Sequence, residues 1–264
     1  MKTYQTDLFT KAFSEIGIAK GDVLFIHSNI LKFGWPTDLK INKLTEFLCQ
    51  TLLDRIGEEG TLIVPTFNFD FCKGIAFNRQ ETPSKNMGAF SEYIRTLPQA
   101  KRSFNPMQSV AVIGKQADYL TENDTAAAFD PGSAFDRLVK LDAKLLLLGA
   151  GFEYNSVFHW IEQKQEVPYR YWKEFTGSYT DQDSTQEKTY KMYVRNRDLN
   201  AELNFGYIEA ALTKNDMLKT ASVGNGLVRS YQLADFISIS EEVIKNNPYF
   251  FIANHPEFEK FNPE

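Results

Sequence analysis

The first half of the chain alternates short continuous apolar runs with stretches of helical spacing. Residues 3–17 read as an amphipathic helix closed by Gly17, followed by a turn at Lys20-Gly21-Asp22. Val23-Leu24-Phe25-Ile26 is a compact apolar run that ends on the polar trio His27-Ser28-Asn29. Residues 41–56 carry Leu44, Phe47, Leu48, Leu52 and Ile56 at helical spacing and stop at Gly57. Residues 61–66 form a second apolar run with a polar end. Continuous apolar runs suit strands buried on both faces, so this alternation predicts a right-handed βαβ unit.

Residues 67–86 are irregular, and loops of that length inside a compact domain tend to be functional or mobile. Residues 88–97 read as a helix and 109–114 as a third strand. The turn Asp130-Pro131-Gly132-Ser133 caps a helix through Phe135 and Leu138. A fourth strand over 144–148 closes on Gly149-Ala150-Gly151, after which Asn155 or Ser156 caps a helix carrying His159 and Glu162. Residues 175–198 are polar and rich in Thr, Tyr and Ser, which suits an antiparallel pair such as 188–195. A helix around 205–212, a strand over 223–229 and a helix around 240–246 complete the chain. With no repeat or linker, the expected fold is one α/β domain over 1–264. It has a central mixed sheet flanked by helices and a β-rich C-terminal section.

Composition narrows the partners. The formal charge is −5, which leaves no basic footprint and argues against nucleic acid as the main partner. A local cluster can still hold a phosphate-bearing ligand. Cys49 and Cys72 stand in unrelated contexts, so neither a disulfide framework nor structural zinc is expected. The N-terminus lacks the apolar run of a signal peptide, and no run is long enough to span a bilayer. A cytoplasmic protein without a membrane partner or a metal is the expectation.

Three histidines bound the search for a general base. His255 lies in a polar C-terminal stretch and reads as surface. His27 ends a strand, where an imidazole serves a site or holds a loop with equal ease. His159 follows a glycine-rich turn near the start of a helix, where N–H groups and the dipole face a site. Glu162, three residues on, shares its helix face and can orient the ring or stabilise its charged form. On spacing alone, a satisfied helix histidine is the commoner outcome. No G-x-S-x-G elbow, G-x-G-x-x-G, P-loop or H-E-x-x-H is present. Strand-end polar residues Ser28, Asn29, Thr66, Ser109 and Ser133 suit a phosphorylated ligand, or else ordinary turn and cap chemistry. Arg102 suits a phosphate or a solvated basic turn.

Read in order, these segments resemble the aminoglycoside 3-N-acetyltransferase family. His27-Ser28-Asn29 resembles its H-S-S segment, and residues 60–66 its G-T-L-x-x-P-T strand. Met87-Gly88, Glu92, Arg95, Pro98, Arg102-Ser103, Pro106 and Ser109 resemble its M-G…E…R…P…R-S-x-H-P-x-x-S block. Pro131-Gly132-Ser133, residues 145–149 and Asn155-Ser156-Val157-Phe158-His159 resemble G-x-G-S, L-L-L-G and N-[ST]-x-x-H, with Glu162 following. The resemblance implies acetyl-CoA or another acyl-CoA as co-substrate and a fold unrelated to the Gcn5-related acyltransferases. It also implies direct transfer to an amine, with His159 as general base and Glu162 stabilising the imidazolium. Ser28, Asn29, Ser109 and Ser133 are carried over to CoA.

The chain departs from the family pattern at Asn105 and Gln108, where histidines are frequent. Its segment between Thr66 and Met87 is short, without a tryptophan-rich acidic stretch. Phe69 and Asp70 in that segment are expected to meet the acceptor, with Asp70 and Glu81 its only acids. A less cationic acceptor follows, and a nucleotide-linked amino sugar leads. Aminoglycoside acetylation is the alternative, and a non-catalytic sugar- or nucleotide-binding protein the further one. A homo-oligomer stays open.

Overall fold

A computed structural model describes residues 3–199 and 202–255. In chain order the elements are β1 (Thr3–Tyr4), α1 (Asp7–Glu15), β2 (Val23–Ser28), β3 (Trp35–Pro36), α2 (Leu44–Ile56), β4 (Thr61–Pro65), β5 (Phe77–Asn78) and α3 (Gly88–Arg95). There follow β6 (Lys101–Arg102), β7 (Val110–Gly114), α4 (Ala117–Thr121), α5 (Ala134–Lys140), β8 (Lys144–Leu148) and α6 (Val157–Lys164). The last are β9 (Arg170–Asp181), β10 (Ser184–Arg195), α7 (Gly206–Lys214), β11 (Lys219–Val223), β12 (Gly226–Gln232) and α8 (Leu233–Asn246).

Seven strands form the main sheet in the order β11-β12-β8-β2-β4-β7-β6. Its centre is parallel: β2 pairs with β4 on one side and with β8 on the other. The flanking strands β12 and β7 run antiparallel to β8 and β4. The apolar runs are continuous because both faces of these strands are covered. Leu24, Ile26, Leu62, Val64, Leu146 and Leu148 point to the layer holding α1, α2 and α3. Phe25, Ile63, Val112, Leu145 and Leu147 point to the layer holding α5, α6 and α8. Because the chain leaves β2 toward β4 and returns on the other side as β8, β2 is a topological switch point. Crevices at the carboxyl ends of strands open there, and β2 ends on His27 and Ser28.

Four expected elements change. The N-terminal helix starts at Asp7, because Thr3 and Tyr4 pair in parallel with Trp35 and Pro36. The strand expected over 223–229 is a hairpin whose turn falls at Gly224-Asn225. Gly224 has φ +56, and a Cβ there would stand 2.1 Å from the Phe33 carbonyl oxygen. The last helix begins at Leu233, well before residue 240. The expected polar pair is a longer ribbon, β9 with β10, to which β5 adds a short parallel strand.

Candidate active site

α6 carries the chemistry, and its entry fixes where that chemistry points. The Asn155 side-chain oxygen accepts from the Val157 N–H at 3.0 Å, and its amide donates to the Tyr231 hydroxyl at 3.1 Å. Asn155 therefore makes the capping contact, and Ser156 makes none. Two turns of helix then present His159 and Glu162 on one side. The His159 Nδ1 lies 2.6 Å from Glu162 Oε2. Glu162 is fully buried, so its carboxylate needs partners. The first is His159; the second is Arg170, whose Nη2 lies 2.8 Å from the same oxygen. Burial alone would push the Glu162 carboxyl up, but His159 and Arg170 outweigh it and hold it below its ordinary value. An ionised Glu162 accepting from Nδ1–H leaves the ring lone pair on Nε2. The His159 side chain is 32% exposed, enough for that nitrogen to be reached.

His27 comes to the same place from β2. It is buried, with Nε2 3.3 Å from the Ser156 hydroxyl. Burial, and then the nearby His159, push it down to about 3, so it is neutral across the physiological range. Beside it opens a cleft of about 420 Å³ lined by His27, Ser28, Asn29, Ile30, Pro65, Phe67, Met87 and Gly88, among others. Ser28 Oγ is buried in that wall with no hydrogen-bond partner among the described residues. A mainly apolar slot with one orphaned hydroxyl suits a slender ligand arm with few polar groups.

The other residues singled out in the sequence are used differently. Ser109 is fully buried, and its hydroxyl bonds Thr66 Oγ1 at 2.9 Å, the Thr66 carbonyl and Arg102 Nε. Ser133 caps α5, accepting from the Asp136 N–H at 3.2 Å. Neither lines the cleft, whereas Ser28 and Asn29 do. Arg102 is neither solvated nor free for phosphate: it is buried, donates to the Thr66 and Thr82 carbonyls, and burial lowers it to about 9. Phe69 is exposed and packs on Phe67 of the cleft wall at 6.2 Å. Asp70 is paired with both Lys73 and Lys85. His255 stacks on Tyr249. Sequence reasoning missed Arg170 and Asn155's bond to Tyr231, since neither partner is close in sequence.

The chain matches the family model described as aminoglycoside 3-N-acetyltransferase over residues 25–245. It belongs to that family. An aminoglycoside N(3')-acetyltransferase-like protein of Bacillus subtilis strain 168 is 24% identical, the match covering 90% of this chain and 91% of that one. Aminoglycoside N(3)-acetyltransferase IV of Salmonella sp is 25% identical over 91% of this chain and 87% of its own. The solved structure of AAC-IIIb binary with CoASH superposes with a TM-score of 0.79 at 18% identity, covering 96% of this chain and all of that one (100%). As a member of the aminoglycoside 3-N-acetyltransferase family, the protein is a CoA-dependent N-acyltransferase with acetyl-CoA as co-substrate, which displaces the reading of a non-catalytic binding protein. Its departures at Asn105 and Gln108 fall in a buried turn, where Asn105 Oδ1 accepts from the N–H groups of Met107 and Gln108.

Proposed function

We propose that the protein acetylates a primary amine of an aminoglycoside-type acceptor, using His159 Nε2 as general base. The names of its relatives favour that acceptor class over a nucleotide-linked sugar. The single observation behind His159 is its 2.6 Å contact with a carboxylate that is itself fully buried. An acceptor ammonium has no lone pair, so it first gives up one proton to solvent, and the neutral amine that attacks must lose a second as its nitrogen is acylated. His159 Nε2 takes it as the amine nitrogen bonds the thioester carbonyl carbon, and Glu162 compensates the imidazolium charge. Collapse breaks the C–S bond, and the proton passes to the departing thiolate, leaving an amide and free CoA thiol. Ser28 and Asn29 line the cleft assigned to the donor. The whole chain, 1–264, acts as one acyltransferase domain, and a cytoplasmic location belongs to the same reading.

Thiol release from acetyl-CoA in the presence of a gentamicin-type antibiotic tests this. The wild type should turn over, and His159→Ala should lose about 10²–10⁴ in kcat. Turnover unchanged in His159→Ala removes that residue from the mechanism.

Two observations favour a second reading, a less cationic and nucleotide-linked amino sugar. Asp70 is already neutralised by two lysines, so it offers a polycation little. A pocket of about 560 Å³ beyond it is lined by Phe69, Lys73, Tyr171, Lys173, Arg195 and Arg197, among others. Aromatic faces and cations together suit a base and phosphates. Turnover with a nucleotide-linked amino sugar and none with the antibiotic selects this reading.

A further inference from the structure

The buried carboxylate beneath His159 creates a problem for base catalysis. A lone carboxylate against an imidazole favours the charged imidazolium, and a protonated ring cannot accept the acceptor's proton. Arg170 answers this from a different element. It opens β9, and its guanidinium is held by a bond from Nη1 to the Tyr193 carbonyl at 3.0 Å. Nη2 then meets Glu162 Oε2 at 2.8 Å and lies 3.1 Å from His159 Nδ1. An arginine is charged at every working pH. It offsets part of the carboxylate charge felt by the ring, and its own charge stands close enough to oppose a second cation.

The remaining ionisable groups around the pair do not alter that balance. His27, from β2, is buried and neutral. Tyr169, ahead of β9, is held in its protonated form by burial and by Glu162. Tyr193, from β10, is raised by burial and then by Glu166, and is likewise neutral. Glu166, beyond the end of α6, acts on Tyr193. Among the described residues, Glu162 and Arg170 are the charged groups within hydrogen-bonding distance of the ring.

We propose that Arg170 is a positioning residue that offsets the Glu162 charge beside His159 and so keeps the ring available as a base. The inference rests on His159 being the base. Its prediction is specific: in Arg170→Gln the acid limb of the pH profile of kcat/KM moves up by about 1–2 pH units. Activity at pH 7 then falls roughly 2–50-fold and recovers at pH 9. Arg170→Lys, which restores the charge without the fork, should return the limb to within about half a unit. A purely structural role would lower activity by one factor at every pH and leave the limb in place, and that result overturns the proposal. Proton NMR titration of the His159 ring in the ligand-free protein, assigned with His159→Ala, needs no acceptor. Its midpoint should rise in Arg170→Gln, and an unmoved midpoint overturns the proposal even if the acceptor assignment fails. Loss of activity in Arg170→Gln with a raised midpoint supports Arg170; full activity of His159→Ala rejects the base assignment itself.

Discussion

A buried neutral histidine leaves a mark on stability as well as on the site. His27 is pushed down to about 3, first by burial and then by His159. In the unfolded chain its proton affinity is ordinary, near pH 6.5. The unfolded state therefore binds a proton that the native state refuses, and stability rises with pH through this window. The contribution is fully present above about pH 6.5 and fades as pH falls toward 3. Urea unfolding at pH 7 and pH 4.5 should show the wild type losing about 2 kcal/mol more than His27→Asn over that interval. Equal losses in the two proteins reject the buried-neutral assignment. Legibility at this scale follows sequence distance. Glu162 was visible because spacing of three on a helix brings side chains together. Arg170 was invisible as a partner because a strand start touches a helix only through the tertiary fold. The roles carried over to Ser109 and Ser133 rested on motif alone, while their hydroxyls bond Thr66 and the Asp136 N–H.

α6 shows how an element holds a catalytic geometry. Asn155 joins the first N–H of the helix to Tyr231 in β12, so the helix start is tied to the sheet. Asn155→Ala removes both bonds and strands a buried tyrosine hydroxyl. Stability should fall by about 1–2 kcal/mol in denaturant melts. Because His159 sits one turn on, kcat should fall roughly tenfold with little change in KM. A stability loss with kcat untouched means that α6 finds its position without the tie. The helix itself was legible from its cap and spacing; the ribbon was legible only in part. Most residues of β9 and β10 are not buried, so no apolar alternation marks their length. Cross-strand Thr176–Thr189 and Thr180–Thr185 bonds, with Tyr179 and Tyr190 buried beneath, pair strands whose sequence reads as loop.

At the scale of the molecule, the parallel centre of the sheet was the most legible feature, since strands covered on both faces must be apolar throughout. What pattern alone does not state is strand order, and the order matters most for function. It sets β2 between β4 and β8 and opens the cleft at their ends. The cleft wall passes Gly88, which has φ +83 and would set a Cβ 3.1 Å from the Ser28 carbonyl oxygen. A branched side chain there is strained and intrudes on the space assigned to the donor. Ligand linkage turns this into a measurement: acetyl-CoA at a hundred times its Kd should stabilise the wild type by about 2.7 kcal/mol, or roughly 5–10 °C in melting temperature. His159→Ala should keep that gain, because the base acts on the acceptor amine and not on donor binding. Gly88→Val should lose it, after correction for its own lower melting point. A gain retained in Gly88→Val moves the donor out of this cleft, and a gain lost in His159→Ala makes that residue a binding group rather than a base.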